Sequence, residues 1–158
     1  MKTKALLWII IIVGIFIVIF LFSKGTKKQV PLPTPEGPVA YEVMTIDSPN
    51  IEIMETVVIK TEKEWEDKLG KAPSGIDFNQ QEVLLINMGK RMTGGYSINM
   101  KSIDAKEGKI NANIEFVSPG KNCITIQAIT YPFLLISIPS SPSEVVWNIS
   151  NRVEDCPQ

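Results

Sequence analysis

One run near the start of this chain constrains it more than any other feature. Residues Ala5 to Phe22 read "ALLWIIIIVGIFIVIFLF", with no charge, no proline and a single glycine. As a helix, these 18 residues would span roughly 27 Å at about 1.5 Å per residue, close to the hydrocarbon thickness of about 30 Å. A cleaved signal peptide has a shorter apolar region that ends in small residues at its cleavage site. Here the run ends Phe20-Leu21-Phe22-Ser23-Lys24, without that pattern and with no nearby cysteine to accept a lipid. The expectation is a short tail over 1–4, then an uncleaved single-pass membrane anchor over 5–22.

Lysines flank both ends of the run, at 2 and 4 and at 24, 27 and 28, so the positive-inside rule barely discriminates orientation. The cysteines discriminate better. Cys123 and Cys156 are the only two, with no C-x-x-C spacing of a zinc or redox site. A bridge between them would pin a terminal strand, whereas the competing reading leaves two reduced thiols. The bridge is favoured, and it implies an oxidising compartment and an outward-facing, extracytoplasmic domain on the cell membrane.

Five of the 16 basic residues precede Gln29, leaving 11 against 17 acidic ones and a net charge of −6 for the rest. Such a domain is poorly matched to phosphate backbones, so nucleic acid is not an expected partner. Residues 23–39 include "GTKKQVPLPTPEGPV", with prolines at 31, 33, 35 and 38. Proline at that density favours an extended spacer. The Pro35–Pro38 spacing matches P-x-x-P, but a plain linker accounts for it.

Residues 40–158 suffice for one domain with one core. Their signal is mainly β, so the fold class expected is α+β: an antiparallel β-rich domain with one short helix. "YEVMTI" and "IEIMETVVI" flank the turn-prone "DSPN". "EVLLINM" (82–88) is a continuous apolar run, as in a strand covered on both faces. "YSINM" points Tyr96, Ile98 and Met100 to one face, and "INANIEF" does the same with Ile110, Ala112, Ile114 and Phe116. "ITIQAITYPFLLISI" reads as strand with a bend or bulge at Pro132, and "EVVWNIS" as a last strand before Cys156. In "TEKEWEDKLG", Thr61 and Glu64 have capping-box spacing, Gly70 can end the helix, and Trp65 and Leu69 share one apolar stripe.

Catalytic and metal chemistry finds little support. The chain has no histidine, which removes Ser-His-Asp and Cys-His nucleophile systems and imidazole metal sites. Ser118-Pro119-Gly120-Lys121 matches S-x-x-K as a string, but Pro-Gly opposes the helical turn that would bring lysine beside serine. Glu62, Glu64, Glu66 and Asp67 surround a short helix and lack a calcium-loop pattern, so they read as a solvated face. Gly89 and Gly94 mimic the start of a phosphate loop, yet Gly95 and Tyr96 stand where Lys and Ser/Thr must be. No enzyme, cofactor or metal is expected.

The stretch Lys90, Arg91, Thr93, Gly94, Gly95, Tyr96 and Ser97 remains as a candidate binding loop. Its glycines read first as backbone devices, with at least one at positive φ where the chain enters the next strand. Thr93 and Ser97 should stay polar and accessible. Asn148-Ile149-Ser150 is the one N-x-[ST] sequon, so Asn148 is a possible glycosylation site if it faces solvent.

"TEKEWEDKLG", "IDFNQQEVLLINMGKRMTGGYSINM" and "CITIQAITYPFLLISIP" together resemble the C-terminal domain of PrcB, a protease-complex subunit family, over roughly residues 56–150. Met92 departs from the proline often found before that threonine. The resemblance implies a small, mostly β, extracytoplasmic domain that associates with a cell-surface protease or another envelope protein. It brings no catalytic residues. The function expected is therefore a membrane-anchored protein-binding domain, an accessory or chaperone-like subunit. The alternative is a surface module for a small molecule or peptide.

Overall fold

The computed structural model describes residues 35–70 and 75–156. The residues read from the sequence as tail, anchor and linker up to residue 34 lie outside that range. Among the described residues, no helix is long and apolar enough to cross a membrane.

Eight strands form two four-stranded sheets. The first contains β1 (Gly37–Pro38), β5 (Ser97–Lys106), β6 (Lys109–Pro119) and β8 (Glu144–Glu154), in the order β1-β5-β6-β8. The second contains β2 (Glu42–Met44), β3 (Glu55–Ile59), β4 (Gln81–Asn87) and β7 (Phe133–Pro139), in the order β2-β7-β4-β3. One helix, α1 (Glu62–Leu69), joins β3 to β4. Among the described residues the domain is thus β-rich with a single short helix.

Every pairing is antiparallel except one: β6 and β8 run parallel, from Lys109↔Glu144 to Pro119↔Glu154. The cause is topological. After β6 the chain crosses to the second sheet to make β7, then returns, so β8 re-enters the first sheet in the direction of β6.

β4 shows why a continuous apolar run was needed. Leu84, Ile86 and Met88 pack with Ile136 and Ile138 of β7 against Ile103, Ile110, Ala112, Ile114 and Phe116 of the first sheet. Val83 and Leu85, pointing the other way, pack with Leu135, Ile59 and the buried Trp65 of α1. Strand alternation feeds two apolar layers from one strand. The helix is capped as its sequence suggests: Thr61 accepts a hydrogen bond from the Glu64 amide at 3.1 Å, and the Gly70 amide donates to Glu66 O at 3.0 Å. Its acids face outward, Asp67 pairing with Lys63 at 2.8 Å.

Tyr96, Ile98 and Met100 pack on the sandwich core as expected. Beyond them the inward positions become Ile103 and Ala105. A register shift between Met100 and Ser102 makes this possible, with Lys101 as the extra residue of a bulge. The hairpin between β5 and β6 turns on Glu107 and Gly108, at φ 53° and 72°. Two consecutive positive φ values suit the right-handed twist of the flanking strands.

Three expectations need correction. Gly37–Pro38 pairs with Ala105 and Asp104, so structured chain begins within the stretch read as spacer. Ile51 to Met54 are not strand, and β3 starts only at Glu55. Residues 124–129 are an irregular crossing between the sheets, not strand.

Candidate binding surface

At one end of the sandwich three irregular segments lie side by side: 51–54, 88–96 and 120–132. Each is held by backbone contacts. The Lys90 amide donates to Glu52 O at 3.0 Å, and buried Asn87 donates through Nδ2 to Ile53 O at 2.8 Å and Ile51 O at 3.1 Å. Arg91 and Thr130 exchange both backbone bonds, at 2.8 and 2.9 Å, and the Met88 amide donates to Pro132 O at 2.9 Å. The Gly94 amide donates to Ile126 O at 2.9 Å, while the Thr130 hydroxyl donates to Thr93 O at 2.8 Å.

The glycines let these segments approach. Gly89 has φ 75°, and a Cβ there would lie 2.8 Å from both Glu52 O and Met54 N. Gly95 has φ 88°, and a Cβ would meet Pro119 and Thr125 side chains at 3.2–3.3 Å. Gly94 is not at positive φ, and its Cβ would make only an ordinary 3.6 Å contact with Ile126. One of the two adjacent glycines therefore has the strained geometry that the sequence suggested.

The far side of the crossing is fastened covalently. Cys123 and Cys156 are joined as a disulfide, with Cα atoms 5.1 Å apart. The Gly120 amide also donates to Glu154 O at 2.8 Å. The start of the crossing is thus tied to the end of β8, and its later part to the 88–96 loop.

What these fixed segments expose is apolar. Ile124 is fully exposed (103 %) and Met92 is 70 % exposed, with Ile53, Met54, Ile126 and Ile129 also open to solvent. Scattered exposed apolar residues are ordinary, but several on adjoining segments at one end of a domain make a candidate interaction surface. Around them, Lys90 is exposed and 3.6 Å from Glu52, while half-buried Arg91 places its guanidinium carbon 5.2 Å from the Tyr96 ring centroid. Such a stack holds the cation by the ring's negative face. Thr93 is half-buried and Ser97 exposed. The sequence singled out the loop 90–97 but not the exposed isoleucines beside it, because Ile124-Thr125-Ile126 alternates just as a strand does.

The loop does not line the recess of about 620 Å³ formed by Tyr41, Glu42, Asp77, Gln80, Gln81 and Ser137, which sits along β2 and β7. Asn148 is exposed on β8, so the sequon asparagine is accessible. Opposite the apolar end, the chain joins the domain beside the β5–β6 turn, where the Glu107 amide donates to Glu36 Oε1 at 3.4 Å. The two ends are separated by the ten residues of β5, roughly 30 Å of strand at about 3.3 Å per residue.

The family model described as PrcB C-terminal matches residues 83–139. Over these residues the chain is similar to the PrcB C-terminal family. The PrcB C-terminal match begins in β4 and ends with β7, so it holds the loop 88–96 and the crossing 120–132 together with the strands that position them. It is narrower than the resemblance over 56–150, leaving α1 and β8 outside. No curated protein and no solved structure gives a significant match to the chain.

Proposed function

We propose that this protein is a membrane-anchored, extracytoplasmic protein-binding subunit that serves a cell-surface protease or envelope complex in an accessory or chaperone-like role. The observation that carries the reading is the row of exposed apolar side chains, Ile53, Met54, Met92, Ile124, Ile126 and Ile129, on rigidly held segments at one end of the domain. A surface whose backbone is already fixed loses little entropy on docking, so apolar burial there converts efficiently into affinity. Met and Ile side chains fill an apolar partner surface without needing partner charges.

The family match supports a role in a protease-associated assembly, because the matched segment contains two of the three surface-forming loops. The Ala5–Phe22 run supports the anchor, and the disulfide supports an oxidising compartment.

The test is affinity capture with the full-length protein in mild detergent, comparing wild type with Ile124→Glu/Ile126→Glu. Because both side chains are exposed, the variant keeps the wild-type melting temperature. Loss of a stoichiometric protein partner from the variant supports the reading. A partner retained at equal yield would refute it.

A further inference from the structure

A second surface, whose C-terminal half adjoins the apolar end, is the free edge of β8. This strand closes the first sheet and pairs with β6 over an unbroken register of eleven residues, with no proline, glycine or bulge. The other edge strands are short, with β1, β2 and β3 spanning 2, 3 and 5 residues. Short edges protect themselves from pairing, whereas a long regular one offers a template for another strand.

Exposure along β8 is uneven in an informative way. Val145 and Trp147 pack on the sandwich core, but from Asn148 to Glu154 every residue is exposed. Strand alternation puts Ile149, Asn151 and Val153 on the same face as Val145 and Trp147. Ile149 is 40 % exposed and Val153 65 %. The core-facing side of the strand thus continues into apolar residues that stay partly open to solvent.

We propose that this half-strand pairs antiparallel with the same half-strand of a second copy, about a two-fold axis at Asn151. The segment 148–154 is self-complementary about that residue. Ile149 falls opposite Val153 of the second copy, and the symmetry repeats the pair, so each exposed apolar side chain covers the other. Glu154 falls opposite Asn148, and Arg152 opposite Ser150. No like charges face one another, the arrangement that would penalise a cross-strand pair. Arg152 keeps its own partner, Glu115, at 3.0 Å within each copy. Such an isologous contact closes on itself and gives a dimer, not a fibre. The anchored chain would then present two apolar ends per assembly.

The test uses the full-length protein in mild detergent. Light scattering should give a dimer for wild type and a monomer for Ile149→Lys/Val153→Lys that still unfolds cooperatively. Facing residues in an antiparallel pair have Cα atoms about 4.5–5.5 Å apart, within disulfide reach. Asn151→Cys should therefore cross-link to a covalent dimer under mild oxidation, while Lys63→Cys on the exposed face of α1 should not. A monomeric wild type would overturn the proposal and leave the edge to a strand of another protein. A dimer that persists in Ile149→Lys/Val153→Lys, or an Asn151→Cys protein that does not cross-link, would overturn it as well.

Discussion

The Gly94 amide donates to the Ile126 carbonyl at 2.9 Å, so the segment that exposes Ile124 and Ile126 is fastened to the glycine loop beside it. This contact explains why a pair of adjacent glycines sits here. Gly94 lies under the crossing chain, and Gly95, at φ 88°, turns the backbone into β5. The loop serves as the support of a surface.

Three glycine substitutions should separate accordingly. Gly95→Ala forces a Cβ into the left-handed region, at a cost of about 1–2 kcal/mol, and crowds Pro119. Gly89→Ala should cost more, since its Cβ would meet backbone atoms at 2.8 Å that cannot move independently. Gly94→Ala should change stability by less than about 0.5 kcal/mol. Denaturant unfolding of the three variants checks the order, and equal losses at 94 and 95 would contradict it.

Lys60 should matter to stability although it lies at the surface. Its Nζ is 3.0 Å from Oε2 of the fully buried Glu82 and donates to Ser141 O at 3.1 Å. Removing the cation strands a carboxylate beneath the sheet, so Lys60→Met should cost about 3 kcal/mol. The double variant Lys60→Met/Glu82→Met should recover part of that loss. Thermal melts of both test the pair, and a double variant no better than the single would argue against it.

Reduction should loosen the crossing as well as the C-terminus. The disulfide closes a sequence separation of 33 residues, for which loop entropy gives roughly 3–4 kcal/mol. Cys123→Ser/Cys156→Ser should melt lower by a corresponding amount. Amide exchange should rise first at residues 120–126 and at the end of β8. Unchanged exchange there would show that backbone contacts alone hold the segment.

Glu115 supplies a pH signature. Hydrogen bonds from Arg152 and then Lys101, with a smaller one from Asn99, push its pKa down to about 2. A carboxylate whose folded pKa is depressed contributes stability that is present above its unfolded pKa and lost as pH falls toward the folded one. Wild type should therefore lose more stability than Glu115→Gln between about pH 5 and pH 2. Parallel acid-unfolding curves for the two proteins would contradict the assignment.

Elements whose residues carry their own environment were legible in the sequence. The unbroken apolar run of β4 requires cover on both faces, and the Thr61–Glu64 and Gly70 signals bound α1. Strand β6 alternates cleanly because one face is core and the other is solvent. Elements decided by distant partners were not legible. Ile124-Thr125-Ile126 has the period of a strand but no sheet edge to join while the chain crosses between sheets. The parallel pairing of β8 depends on which sheet takes β7, a choice local pattern does not encode. Gly37–Pro38 is a strand only because β5 lies beside it. At the surface, the loop 90–97 was visible from its glycines. The isoleucines that make it a surface were hidden by resembling core.

The most direct measurement is site-specific photo-cross-linking of the full-length protein in the cells that make it, with the probe at Ile126, Met92 or Lys63. A protein-binding role for the apolar end predicts one discrete protein adduct from Ile126 and Met92, and none from Lys63 on the exposed face of α1. Absence of an adduct at the first two positions, or the same adduct from Lys63, would contradict it.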